Sequence, residues 1–496
     1  MKKKQTKIVI VLIFLMLSIA FVRKSITQND TFYLIKLGDY ITHNGIDLMD
    51  HYSWISGLSY SYPHWLHSIT LFFIYNNFGY DGLYVFDILS FFVMIVSIYY
   101  INLKVNSDKF VAFFISLLSF PLLMYFINPR AQTISCILFL WEIYYIIQLI
   151  KTANKKYIIL LTITSLLIAN IHGTSWIMFF VLFLPFFGNQ LIYQIIKKSK
   201  KNKFDYAVII EKTNNIQKLL IAFVLSFLMG LLTPSRICYT YFFKVLQGES
   251  QGFIAEHAPL IIIECPFILI ILFLLYFSKE KIKLHELFMI TGLLLMSFIS
   301  IRHLIFFLTI GLLFLSILLT RNVKSQNDPT FNILYNRIFY SNKRSLLILA
   351  FSIIIAIIGF KVNTKTDYID NIHYPIEATK YIKSNLDYQN IRLYNDYQDG
   401  SYLLFNDVKV FIDPRYDLYS IAFNHKLDIF ADFLSIEYNY EYENVFDKYQ
   451  IDYVLLNKNY VLYHILKNNS NYPVIYQDND YCLFLRIKEN NNEKKT

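Results

Sequence analysis

KIVIVLIFLMLSIAFV, residues 7–22, is followed after the five residues RKSIT by the stretch QNDTFYLIKLGDY, residues 28–40. The first segment is apolar almost without interruption, of the kind that crosses a bilayer, where a span needs about 20 mostly apolar residues. The second places Asp30 just past that run and Asp39 nine positions on, beyond a mostly apolar stretch. An acid where hydrocarbon ends and water begins is either a solvated loop residue or a base working at the membrane surface.

Outward from this junction the pattern repeats. The chain has 496 residues, 55% hydrophobic and 17% charged, and that charged share is below the ~25% usual in globular proteins. The apolar residues come in blocks, such as FLMGLL and FILIILFLLYF. A soluble fold is excluded on these grounds, and a polytopic α-helical membrane protein is expected. Hydropathy marks about eleven spans: 8–22, 83–103, 109–127, 132–150, 157–170, 174–195, 217–233, 259–278, 285–300, 303–320 and 345–360.

The formal charge of +10 resides largely in short loops between these runs, as in KKSKKNK at 197–203. With the N-terminus inside, such clusters fall in every inner loop, and the short outer loops hold only isolated cations. The charge is therefore topological and does not point to nucleic acid. MKKKQTK ahead of an apolar run could begin a cleaved signal, with Ser18-Ile19-Ala20 as a loose cleavage site. The apolar run continues to Val22, so a retained first helix is the expectation. Cys136, Cys238, Cys265 and Cys482 are scattered and form no disulfide or metal framework.

Two segments are too long for turns, and both are expected outside. Residues 23–82 make a first outer loop, taken with the membrane region to give a domain at 1–360. Residues 361–496 make a polar tail, in which YPIEATKYIKSN reads as helix and IRLYND, VKVFID and DYVLLN read as strands. The tail is expected to be an extracytoplasmic α/β domain. The outer loop has two surface-helix patterns, at 28–40 and in YSYPHWLHSITLFFIY at 60–75, suited to lie in the plane of the interface.

Polar residues near the outer ends of the spans are Asp30, Asp39, Asp50, His64, His67, Asn128, Arg130, Asn170, His172, Arg236, Glu256, Arg302 and His303. Ionisable groups at membrane depth are costly and usually face a cavity or a partner. Acids among cations on one side favour a functional cavity over a set of solvated helix caps. A carboxylate there can take a proton from an acceptor hydroxyl, and Arg and His can neutralise a leaving phosphate. A lipid-phosphate sugar donor fits such a cavity. In the tail, Asp413, Arg415 and Asp417 of FIDPRYDLYS bracket an apolar strand end, where α/β proteins often place ligand contacts. An Asp–Arg pair ordering the turn at Pro414 is the preferred reading, and a lid or acceptor-docking role the alternative.

The motifs DTFYLIKLGDYITHNGI with DHYSW, YPHWLHSI, NPRAQTISCILF, NIHGTSW, YPIEATKYIKSN, NDYQDGSYLLF and VFIDPRYDLYS span nearly the whole chain. In them the chain resembles the GT-C superfamily of polyprenyl-phosphate-sugar-dependent glycosyltransferases, and more narrowly a group of bacterial membrane proteins related to the protein mannosyltransferase-like family. The resemblance implies a GT-C-like fold and transfer of a sugar from a polyprenyl-phosphate donor to a glycan, lipid or protein acceptor of the cell envelope. In the superfamily an acid of the first outer loop is the catalytic base, and the matching position is Asp30, with Asp39 next. Relatives carry Glu where this chain has His64. Arg130, His172, Arg236 and Arg302 are candidates for the donor phosphate, and His64, His67 and His303 for the rest of the cavity. A divalent metal is compatible with these acids and histidines, but no ligand spacing specifies one. A lipid-linked glycan polymerase or ligase would require a large central outer loop, whereas the longest outer loop here is the first. A transporter or flippase would favour paired repeats and charges near mid-membrane.

Overall fold

Long apolar runs without helix breakers become helices because every backbone polar group is then satisfied within the segment. The computed structural model describes residues 3–24, 29–105, 107–198, 208–246, 258–276, 278, 280–325, 330–365, 368–369, 373–439 and 441–488. It is mostly helical, and each of the eleven apolar runs contains helix among its described residues. Six helices are long and apolar enough to cross a membrane, or seven if Ile216–Leu232 and Ile237–Lys244, bent by 120°, form one span. Gln5–Phe21, Lys156–Ile171 and Leu284–Ile299 are shorter apolar helices. The chain is a multi-pass membrane protein.

By packing, the chain divides into two units. The first comprises residues 1–23 and 83–365; the second comprises 24–82 and 366–496. The sequence reading sets the divide at residue 360 and keeps 23–82 with the membrane region, whereas the contacts group that loop with the tail.

In the first unit, α1 (Lys3–Phe21) lies along the Asn342–Asn363 helix. A side chain at Gly359 would meet the Ala20 carbonyl oxygen at 2.6 Å, and Asn363 donates to that same oxygen at 3.0 Å. Small residues let membrane helices approach this closely. Helices α4 (Lys109–Leu123), α5 (Ala131–Thr152) and α6 (Lys156–Ile171) follow in sequence. Elsewhere in the unit, Arg321 grips Glu286 through both guanidinium arms, and β1 (Val208–Ile209) pairs in parallel with β2 (Ile282–Lys283).

The second unit is woven from its two segments. Helix α2 (Asp30–Asn44) buries Phe32, which meets the rings of Tyr374, Tyr402 and Phe405 at 5.0–5.4 Å. The apolar face expected to lie against lipid is thus covered by the tail. The second expected surface helix, at 60–75, is found over residues 65–78, set off from the following span by the non-helical Gly79 (φ 59°, ψ −152°); the two together are α3 (Trp65–Lys104).

The tail's sheet has the order β3-β4-β6-β5, formed by Leu393–Tyr394, Tyr453–Asn457, Tyr481–Leu485 and Val474–Gln477. The first pairing is parallel and the other two antiparallel. IRLYND and DYVLLN contribute strands as expected, and YPIEATKYIKSN is the Ile376–Asn385 helix. VKVFID does not enter this sheet. Its Val410 instead forms a parallel bridge to Ser53 of the first loop, because its neighbour is distant in sequence.

Candidate functional site

In the first unit, three of the four cationic candidates meet around the start of α5. Arg130 caps that helix in an extended conformation (φ −112°, ψ 154°) and is half-buried. One turn on, Ser135 bonds His172 Nδ1 at 2.9 Å, and Ser175 bonds Nε2 at 3.0 Å. The buried imidazole is thereby fixed in orientation by two hydroxyls. Gln132 donates to the carbonyl oxygen of half-buried Arg302 at 3.3 Å. His303 places Nδ1 3.2 Å from the Met296 carbonyl oxygen.

Arg236 stands at the 120° bend, in the left-handed region (φ 53°), and is exposed. The bend reaches the same neighbourhood through Trp176, whose ring meets Tyr239 at 5.2 Å. Beside Arg130, the side-chain oxygen of Asn128 is buried without a hydrogen-bond partner. A buried acceptor of this kind retains capacity for a ligand donor. Glu256, in the same group of expected residues, lies outside the described residues.

In the second unit, Asp30 is the first residue of α2 and half-buried, where a carboxylate is favoured by the helix dipole. Asp39 pairs with His43 at 3.1 Å. His67 is buried near the start of α3, and His64 lies in the turn before it. Helix α2 packs on this part of α3 at Gly38, so Asp39 and His67 flank one helix contact.

The most completely formed polar network of the second unit centres on Arg415. Its Nε and Nη2 donate to the two Asp413 oxygens at 2.8 and 2.6 Å, and Nη1 reaches Asp50 at 2.5 Å. Tyr419 also donates to Asp413 at 2.5 Å. The turn at Pro414 is therefore ordered by an Asp–Arg pair, as its spacing suggests. Asp50 opens a turn through the Ser53 N–H at 2.8 Å as well as binding Arg415, a role that its sequence neighbours do not reveal.

A second cluster also escaped sequence reasoning. Asp396 and Asp399, in NDYQDGSYLLF, are buried, and Asp399 accepts from Tyr481 at 2.9 Å. Burial raises both carboxyls above their usual range, and the charge of Asp396 adds to the effect at Asp399. In the membrane region, Glu142 is fully buried with neither oxygen bonded, and Asp87 is also buried with one oxygen unpaired. Acids inside apolar runs were the available signal for these two. Among the described residues, no group of three His, Cys, Asp or Glu side chains is placed to hold a metal ion.

No family model matches the chain, and no curated protein matches it by sequence. Solved structures do match. The oligosaccharyltransferase AglB of Archaeoglobus fulgidus, in complex with an inhibitory peptide and a dolichol-phosphate, aligns with a TM-score of 0.59 at 12% identity. That alignment covers 92% of this chain and 70% of AglB. ArnT from Cupriavidus metallidurans, bound to undecaprenyl phosphate, aligns with a TM-score of 0.54 at 11% identity over 96% of each chain. The apo form of the Archaeoglobus fulgidus enzyme gives 0.57 at 12% identity. At 11–12% identity these likenesses concern the fold: the chain is built like AglB of Archaeoglobus fulgidus and ArnT of Cupriavidus metallidurans.

Proposed function

We propose that the chain is a membrane glycosyltransferase that moves a sugar from a polyprenyl-phosphate donor to a cell-envelope acceptor at the outer face of the cell membrane. The likeness to ArnT over 96% of both chains carries this reading, since that structure holds undecaprenyl phosphate. The gathering of Arg130, His172 and Arg302 about the start of α5 agrees with a phosphate-holding role. Arg236 is assigned to the same task, and His303 to the surrounding cavity.

Asp30 is assigned the base, with Asp39 the next candidate and His64 and His67 in supporting positions. The carboxylate accepts the proton of an acceptor hydroxyl as that oxygen bonds to the sugar's anomeric carbon. The bond from that carbon to the phosphate oxygen breaks, and the departing electron pair is stabilised by the cations. A carboxylic acid remains on the protein and a polyprenyl phosphate on the lipid.

The test is transfer from a panel of polyprenyl-phosphate sugars to envelope extract, comparing wild-type membranes with Asp30→Asn. Loss of a positioned base should slow transfer by about 10²–10⁴-fold at equal expression. Undiminished transfer by Asp30→Asn would remove it as the base and direct the same test to Asp39.

A further inference from the structure

The second unit holds a small pocket of about 110 Å³ lined by His51, Tyr52, Gln389, Asp407, Val408 and Lys409. It exists because two segments far apart in sequence run side by side. Val410 N–H donates to Tyr52 O at 3.1 Å, Trp54 N–H to Val410 O at 3.3 Å, and Ser53 Oγ to Val410 O at 3.0 Å. The floor is therefore backbone-paired.

The walls are fixed as well. His51 is held by Asp47 at 2.7 Å and stacked on Tyr40 with centroids 4.3 Å apart. Tyr40 donates to the same Asp47 carboxylate at 2.8 Å. Burial acts to raise the Asp47 carboxyl, but the hydrogen bonds from Tyr40, the Met49 N–H and His51 outweigh it and hold it below its usual range. Tyr52 is anchored through its hydroxyl to Lys36 O at 3.0 Å, and Gln389 donates to Asp407 O at 3.1 Å.

Charge decides what such a pocket attracts. Asp407 is approached by Lys36 at 2.5 Å and Lys383 at 3.9 Å, so its charge is already met. Lys409 then lines the pocket with no acidic partner among the described residues. Asp407 is met by Lys36 and Lys383 and the Asp47 carboxylate by His51 and Tyr40, which leaves the Lys409 ammonium to meet an anion, with up to three donors for its oxygens. The volume of about 110 Å³ is well below the ~300–1,000 Å³ of pockets that enclose a whole drug-sized ligand. It suits one charged substituent, with the Tyr52 and His51 rings beside it offering apolar surface to the attached ring.

We propose that this pocket binds a sugar bearing a phosphate or carboxylate group, with Lys409 as the partner of the charge. That the bound sugar belongs to the acceptor rests on the transfer reading; the binding itself does not.

The test uses the full-length protein in an uncharged detergent that is not itself a sugar. Thermal unfolding is followed with glucuronate, glucose 6-phosphate, glucose or inorganic phosphate at constant ionic strength. One or both anionic sugars should raise the midpoint of the wild type, and whichever does so identifies the group bound. Lys409→Gln should weaken that binding about tenfold or more, the loss of one charge-assisted hydrogen bond, and Lys409→Arg should retain it. Equal protection by glucose, equal protection by inorganic phosphate, protection unchanged in Lys409→Gln, or no protection would each overturn the proposal. Because the readout is binding, a failed transfer assay leaves it standing, and failure here leaves the transfer reading standing.

Discussion

Arg415 carries its charge to a place where its side chain has 0% exposure, and Asp50 beside it has 1%. The rings of Tyr52 and Tyr60 lie 5.6 and 5.1 Å from the guanidinium carbon, closing it off from water. Burying these charges is costly, and the arrangement persists because Asp413 and Asp50 occupy the guanidinium's arms together. Arg415→Met would leave two buried carboxylates facing each other without a cation. Removing one partner of a buried pair costs about 3–5 kcal/mol, so its unfolding midpoint should fall sharply. Arg415→Lys should recover only part, because an ammonium cannot reproduce the two-armed contact. A near-normal midpoint for Arg415→Met would show that the network contributes little.

Two residues on, Asp417 is pushed up to about 7 by burial. The unfolded carboxyl titrates near 3.9, so between about pH 4 and pH 7 the fold keeps a proton that the unfolded chain has released. Stability therefore falls as pH rises through that window and levels above it. Glu437, also lifted to about 7 by burial and the charge of Asp396, has the same sign. Unfolding midpoints compared at pH 5 and pH 8 should show a smaller drop in Asp417→Asn than in the wild type. An identical drop would assign the whole slope to other groups.

At the scale of elements, Gly38 sets how α2 meets α3. A Cβ built there would lie 2.1 Å from the Ser68 carbonyl oxygen and 2.7 Å from the Phe72 Cβ. Backbone on both sides cannot yield cheaply, so Gly38→Ala must separate the helices, at a cost of about 1–3 kcal/mol. The same separation would disturb Asp39 and His67, which flank the contact, so transfer should fall along with stability. An unchanged midpoint would show that the helices can part freely here.

Such contacts mark what sequence could and could not reveal. Apolar runs are a local property, and each of them contains helix, though six or seven helices and not eleven are long and apolar enough to cross a membrane. Arg130, His172 and Arg302 could be picked out as polar residues at the ends of those runs, which gives their position in the chain and not a role. Their gathering depends on Gln132 and Ser135, ordinary polar residues whose facing within α5 only packing determines. VKVFID has strand composition, yet its bridge is to Ser53, 357 positions from Val410. The amphipathic pattern of α2 announced an apolar face but not that Tyr374, Tyr402 and Phe405 would cover it.

For the whole molecule, the consequence is a second unit that neither of its segments can form alone. Residues 24–82 supply Asp50, Phe32 and Trp54, and residues 366–496 supply the groups that bury them. Trp54 donates its indole N–H to the Leu393 carbonyl oxygen at 3.0 Å and stacks on Phe411 at 5.8 Å. A chain ending at residue 365 removes every one of these partners while leaving the first unit's residues intact. Without them Phe32, Trp54 and Asp50 face water, and local opening of 24–82 becomes the rule instead of a rare event. Limited proteolysis of membranes should then cut within 24–82 roughly tenfold or more faster in the truncated chain, since cleavage follows the population of the open form. Cuts within 83–365 should change little. Equal resistance of 24–82 in both chains would mean that the loop folds without the tail, and the two-segment unit would have to be redrawn.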